Sequence, residues 1–122
     1  MKILIPSEGE DIISDIDEHF SKSKFFILID VDKDVWEVME NEFKHLDHPG
    51  DRVAKKAIEL KVNKVIVHSI GPHAFDILTK NNIEVFYFEK GEIKKAINKL
   101  KKNELAQMLK PNKKHGKLFK ED

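Results

Sequence analysis

Residues 63–88 read NKVIVHSIGPHAFDILTKNNIEVFYF, and their hydrophobic period changes twice. NKVIVHS is a short β-branched run with no breaker, the mark of a buried strand. GPHAFDILTKNN opens on Gly71 and Pro72, favoured at a helix start, and its Asn81-Asn82 pair can end one. IEVFYF returns to a strand pattern. Strand, helix and strand in one short stretch form a crossover unit, which runs right-handed and makes its two strands parallel.

Working outward, residues 24–40 read KFFILIDVDKDVWEVME. Two β-rich runs flank DKD, so a hairpin with a polar turn is expected. KILIP at the amino end is a further buried strand, stopped by Pro6. Residues 7–23 form a long acidic connection, and such connections tend to be functional. DRVAKKAIELK has helical spacing at Val53, Ala54, Ala57 and Ile58, with Asp47 or Asp51 as candidate caps. Residues 92–110 read as a last helix with Ile93, Ala96, Ile97 and Leu100 on one face. Its later apolar residues are displaced, so it should bend or break near Asn103. The predicted order is β-β-β-α-β-α-β-α, an α/β fold. Its mixed five-stranded sheet has order 3-2-1-4-5, with helices on both faces. Residues 1–110 make one domain. Residues 111–122 form a basic tail whose only large hydrophobes are Leu118 and Phe119, too few to offset ordering costs, so it is expected to be flexible.

Composition narrows the function. No apolar run could cross a bilayer, and the start turns acidic too soon for a secretory signal, so a cytoplasmic location is the default. Absence of cysteine removes disulfides, thiolate nucleophiles and cysteine metal sites. A Lys- and Glu-rich chain with one Gln also fits a heat-adapted organism, a thermophile. The zero net charge hides a split. Residues 1–52 hold 6 Lys/Arg against 14 Asp/Glu, and residues 90–122 hold 11 against 4. A basic end can meet an acidic partner, or it can be ordinary solvated surface.

The predicted topology gathers several loops at one sheet edge. Strand one ends at Pro6, strand two starts beside it so that His19 and Phe20 lie close to Ser7, and strand three delivers Asn41, His45, His48 and Gly50. Strand four arrives with Ser69, Ile70 and Gly71, followed by His73. Ligands of open α/β sheets bind at such an edge, where chain direction switches. Each histidine has a plainer alternative. His68 reads as a packed strand residue, and His45 and His48 could be loop surface. His73, in a first helical turn, could serve as a neutral ligand. The turn at Gly71 and Pro72 offers free N–H groups to an anion.

MKILIPSEG, DEHFSKSKFFILIDVD and IGPHAFDIL together resemble the dinitrogenase iron–molybdenum cofactor biosynthesis family, the NifX- and NafY-like small single-domain proteins, over about residues 1–100. The resemblance implies a ribonuclease H-like fold and a role in binding and carrying iron–sulfur or iron–molybdenum-type precursors for nitrogenase assembly. The family's HFGRA falls on residues 19–23, where only His19 and Phe20 match and Lys22 keeps a charge without the arginine fork. Of a glycine-rich segment only Gly50 remains. GGIGP falls on residues 68–72, with His68 and Ser69 in place of two glycines. Topology and resemblance together single out Ser7, His19, Phe20, Lys22, Gly50, Ser69, Gly71 and Pro72 as cofactor-binding candidates. His19, His45, His48 and His73 are the candidate metal ligands, since imidazole suits iron.

Three functions compete. The first is a non-enzymatic carrier of a metal cluster or other anionic cofactor, working with a protein partner in cofactor assembly. The second, a two-metal nuclease, needs carboxylates on the inner strands, and KILIP and KVIVHS have none. The third is a scaffold whose basic last helix, with Lys94, Lys95, Lys99, Lys101 and Lys102, and whose tail contact RNA or an acidic protein. Nucleic acid is disfavoured, because stacking aromatics are missing there apart from Phe119. No membrane role is expected.

Overall fold

The computed structural model describes residues 1–113. Its elements are β1 (Lys2–Ser7), β2 (Phe25–Asp30), β3 (Val35–Glu40), α1 (Pro49–Glu59), β4 (Lys64–Val67), α2 (Pro72–Lys80), β5 (Glu84–Tyr87), α3 (Ile93–Lys101) and β6 (Ala106–Gln107). The sheet is mixed, in the order β3-β2-β1-β4-β5-β6. β1 pairs antiparallel with β2 and parallel with β4, so the direction switch lies between β1 and β4.

Alternation along the strands builds two cores. Leu4, Phe26, Leu28, Val65, Val67 and Val85 face α1 and α2, meeting Val53, Ala54, Ala57, Ala74, Phe75 and Leu78. Their neighbours Ile3, Ile5, Ile27, Ile29 and Ile66 face α3, meeting Ile93, Ala96, Ile97 and Leu100. A period of two along β1, β2 and β4 thus feeds both faces, and these strands are apolar apart from charged or polar residues at their ends. α3 buries its apolar stripe, so Lys94, Lys95, Lys99, Lys101 and Lys102 fall on its outer arc rather than all around it.

Two expectations are corrected. Among the described residues the sheet has six strands, not five, and the helix that begins at Ile93 stops at Lys101 instead of running to residue 110. Asn103 takes a left-handed φ of 58°. The Asn103 N–H donates to the Leu100 carbonyl at 3.0 Å, and the Glu104 N–H donates to Lys99 at 2.8 Å. This is the Schellman stop, in which a left-handed residue lets two late N–H groups satisfy helix carbonyls. The chain then adds β6 beside β5, Phe86 opposite Gln107. Leu105 packs toward the α3 core and Met108 toward the α1/α2 core, the opposite-face pattern of an extended segment. Their displacement from the helical stripe marks the break expected near Asn103, followed by a strand. Lys61 and Asn82 end α1 and α2 in the same way. α1 begins at Pro49 with left-handed His48 at its N-cap position and no side-chain cap, so neither Asp47 nor Asp51 caps it.

The acidic connection after β1 has a structural task. It returns to β1 through Glu8 N–H to Asp15 carbonyl and Asp17 N–H to Pro6 carbonyl, both 3.0 Å. Its carbonyls at Ser14 and Ile12 accept the N–H groups of Ile93 and Lys94, each at 2.9 Å. The first turn of α3 is therefore capped by backbone from the other end of the chain, which meets donors that a helix leaves unpaired. Among the described residues, no helix is long and apolar enough to cross a membrane. Leu118, Phe119 and His115 lie outside the described residues.

Candidate functional site

Both helices on one face start at the same sheet edge, and the space between their first turns is a cavity of about 300 Å³. Pro49, Gly50 and Asp51 of α1 form one wall, and Pro72, His73 and Ala74 of α2 form another. Neither helix has a side-chain cap, and each begins with proline. Arg52 N–H is bonded to His48 carbonyl at 3.3 Å and Phe75 N–H to Gly71 carbonyl at 3.1 Å. Earlier positions such as Gly50, Asp51 and Ala74 have no carbonyl four residues back within their helix. Two helix dipoles therefore present their positive ends to one cavity.

Phe20 and Ser21 make the third side, and Ser69, Ile70 and Gly71 the fourth. Phe20 is only 4% exposed and meets Phe26 edge-on, centroids 6.4 Å apart, so it is both core and cavity wall. Its loop is held from beneath by Asn41. That side chain, 5% exposed, donates to the Ser21 and Ser23 carbonyls at 2.9 Å each and accepts from Phe43 N–H at 3.0 Å. Gly50 lies where an added Cβ would sit 3.6 Å from Ser21 and from Ala74, which shows how closely the three segments approach. Ser69 Oγ donates to the Glu18 carbonyl at 2.6 Å, tying the turn before Phe20 to the loop after β4.

The cavity gathers Phe20, Gly50, Ser69, Gly71 and Pro72 from the cofactor-binding candidates, and His48 and His73 from the metal candidates. The others stand apart. Ser7 is fully buried, its hydroxyl donating to Gly9 carbonyl at 2.7 Å and accepting from Gly9 N–H at 3.2 Å; it shapes a turn. Lys22 and His45 are exposed and line no part of the cavity. His19 is 49% exposed, with Nδ1 3.2 Å from Asp17 Oδ1 and Nε2 3.8 Å from Glu18 Oε1. Its own acidic neighbours hold it outside the cavity that Phe20 enters. The four candidate histidines thus form no common ligand set. Among the described residues, no three His, Asp or Glu side chains are grouped to hold an ion. His68, expected within a strand, lies just past the end of β4 and is half-buried, with Nδ1 2.6 Å from the Glu89 carbonyl and its ring 5.9 Å from that of Tyr87.

Sequence reading brought Asn41 to this edge and offered Asp51 as a helix cap but made neither a site candidate, and it missed Ser21 and Lys113. Asn41 and Ser21 act through backbone groups of a loop, and Lys113 reaches the cavity from a segment with no apolar pattern.

Known structures share this fold. The apo form of the orange protein from Desulfovibrio gigas superposes with a TM-score of 0.87 at 21% identity, covering 92% of this chain and 96% of that one. A Thermotoga protein provisionally assigned as NifB gives 0.80 at 26%, covering 92% and 97%. A Methanocaldococcus jannaschii protein provisionally assigned as a dinitrogenase gives 0.72 at 21%, covering 91% and 97%. No curated protein matches the sequence. The sequence model described as dinitrogenase iron–molybdenum cofactor matches residues 1–103, and the chain belongs to that family.

Proposed function

We propose that the protein is a non-enzymatic carrier that holds an anionic, preassembled metal cluster of the iron–sulfur or iron–molybdenum type in the cavity between α1 and α2. The observation that carries this reading is the convergence of two uncapped helix starts on one cavity. Backbone N–H groups and helix dipoles suit a ligand with outward-facing anionic atoms. Cysteine is absent and no three-residue ion site exists among the described residues, which disfavours gripping a bare ion. A cluster that brings its own sulfides needs fewer protein ligands, and His48 and His73 at the cavity wall are the imidazoles within reach. A ribonuclease H-like classification accompanies the family resemblance, yet β1 and β4 bear no carboxylate for a two-metal hydrolysis. Exposed lysines on α3 are the natural surface for an acidic assembly partner.

Gly71→Leu tests the site. Gly71 has an extended backbone, φ −82° and ψ 170°, and nothing lies within 4 Å of where its Cβ would be. The side chain can therefore enter open space at the cavity wall without breaking the fold, changing stability by less than about 1 kcal/mol. Tetrathiomolybdate, an anion joining molybdenum to sulfide, is expected to bind the wild type and to bind this variant at least about tenfold more weakly, a loss of about 1.4 kcal/mol. Equal binding by a folded variant would remove the cavity from consideration. Metal analysis and an absorbance spectrum of protein purified without oxygen from its host would identify the natural cargo.

A further inference from the structure

Beyond residue 103, where the family match ends, the chain comes back to the cavity. Asn112 Oδ1 accepts the Ile70 N–H at 2.9 Å, and Asn112 Nδ2 donates to the His68 carbonyl at 2.9 Å. Lys113 N–H then donates to the Ile70 carbonyl at 3.1 Å. Three hydrogen bonds thus fasten two residues along the loop between β4 and α2, and Lys113 becomes part of the cavity wall.

The charge of that wall depends on this strap. Among the described residues that line the cavity, Asp51 and Lys113 are the two with a fixed charge. Asp51 suits its place in the first turn of α1, yet its carboxylate repels an anion. Without Lys113 the fixed charge of the wall would be a lone negative one. With it the wall is balanced, and the two helix starts set its sign.

We propose that Lys113 is a specificity-determining residue that makes the cavity selective for anions, and that Asn112 is the positioning residue that holds it there. The inference rests on the carrier reading above and adds an element of this chain that lies outside its family match.

The test uses the full-length chain, with tetrathiomolybdate as the probe and two separate readouts. The first needs no ligand. Asn112→Ala removes the acceptor for the Ile70 N–H, so hydrogen exchange at that amide should accelerate at least about tenfold. Unchanged exchange would overturn the proposal and leave the carrier reading untouched. The second readout is affinity against salt concentration. Lys113→Gln should weaken binding about fivefold, the size of one exposed charge contact, and should flatten the salt dependence. Asn112→Ala should do about the same. The double variant should be no weaker than about the Lys113→Gln single, because both changes remove one interaction. Wild-type affinity and salt slope in both single variants, with Gly71→Leu still defective, would overturn the strap and keep the cavity. Absence of binding in every chain, wild type included, would overturn both.

Discussion

Phe20→Ala is expected to cost about 3 kcal/mol of folding stability, the low end of the range for a buried phenylalanine. The ring is nearly wholly buried and meets Phe26 edge-on, and it packs in the core shared by β1, β2, α1 and α2. The low end applies because one side of the ring already borders the cavity, so its removal widens an existing space rather than opening a sealed void. For a chain of 122 residues this should lower the melting temperature by about 12 °C. Thermal unfolding followed by circular dichroism measures it. A drop below about 4 °C would show that the ring is an ornament of the cavity and not part of the core.

The second large effect belongs to Asn41→Ala, expected to cost about 2–3 kcal/mol. The substitution removes both donors that the Ser21 and Ser23 carbonyls use, and the acceptor of Phe43 N–H. Few waters can replace them, since Asn41 and Ser23 are buried. Anion binding should weaken as well, because Ser21 and Phe20 lose their support from beneath. Asn41→Asp separates the two donors from the acceptor: it keeps an acceptor for Phe43 and sets negative oxygens against two carbonyls. Its protonated form can donate once, so folding favours the protonated acid and raises its pKa above the unfolded value. This variant's deficit relative to wild type should therefore be smallest at low pH and grow as pH rises through the raised folded value. Denaturant titrations at acidic and neutral pH decide this, and an equal deficit at both would show that the carbonyls find other donors.

The parts that were legible in the sequence are those whose signal is a period. The β2–β3 hairpin, the β4–α2–β5 crossover and the stripe of α3 all follow from spacing of apolar residues, and they suffice to place the loops at one edge. Leu105 and Met108 were open to misreading because two apolar residues three apart suit a helix as well as two faces of a strand. The stop at Asn103 uses a left-handed asparagine in place of the glycine that would have announced it. Site residues divide for a similar reason. Gly50, Gly71 and Pro72 shape backbone, which topology positions well. His19 depends on a side-chain rotamer, and Asp17, two residues earlier, sets it by accepting from both its backbone N–H and its ring. Asn112 holds its segment by polar contacts alone, and such contacts leave no trace in hydropathy.

The carbonyls of Ile12 and Ser14 that cap α3 also set an order of events during synthesis. The segment leaves the ribosome early, and its partner emerges near the end. Until then Ile3, Ile5, Ile27 and Ile29 have no helix to cover them. Domains dominated by such long-range pairings fold slowly, with apolar surface open in the interval. A nascent chain halted before Ile93 should therefore bind a hydrophobic dye and exchange its β1 and β2 amides quickly, whereas the released chain should protect them together. Protection of those amides in the halted chain would mean that the acidic segment settles without its helix. The protein's birth, on this account, is a matter of waiting for its last helix.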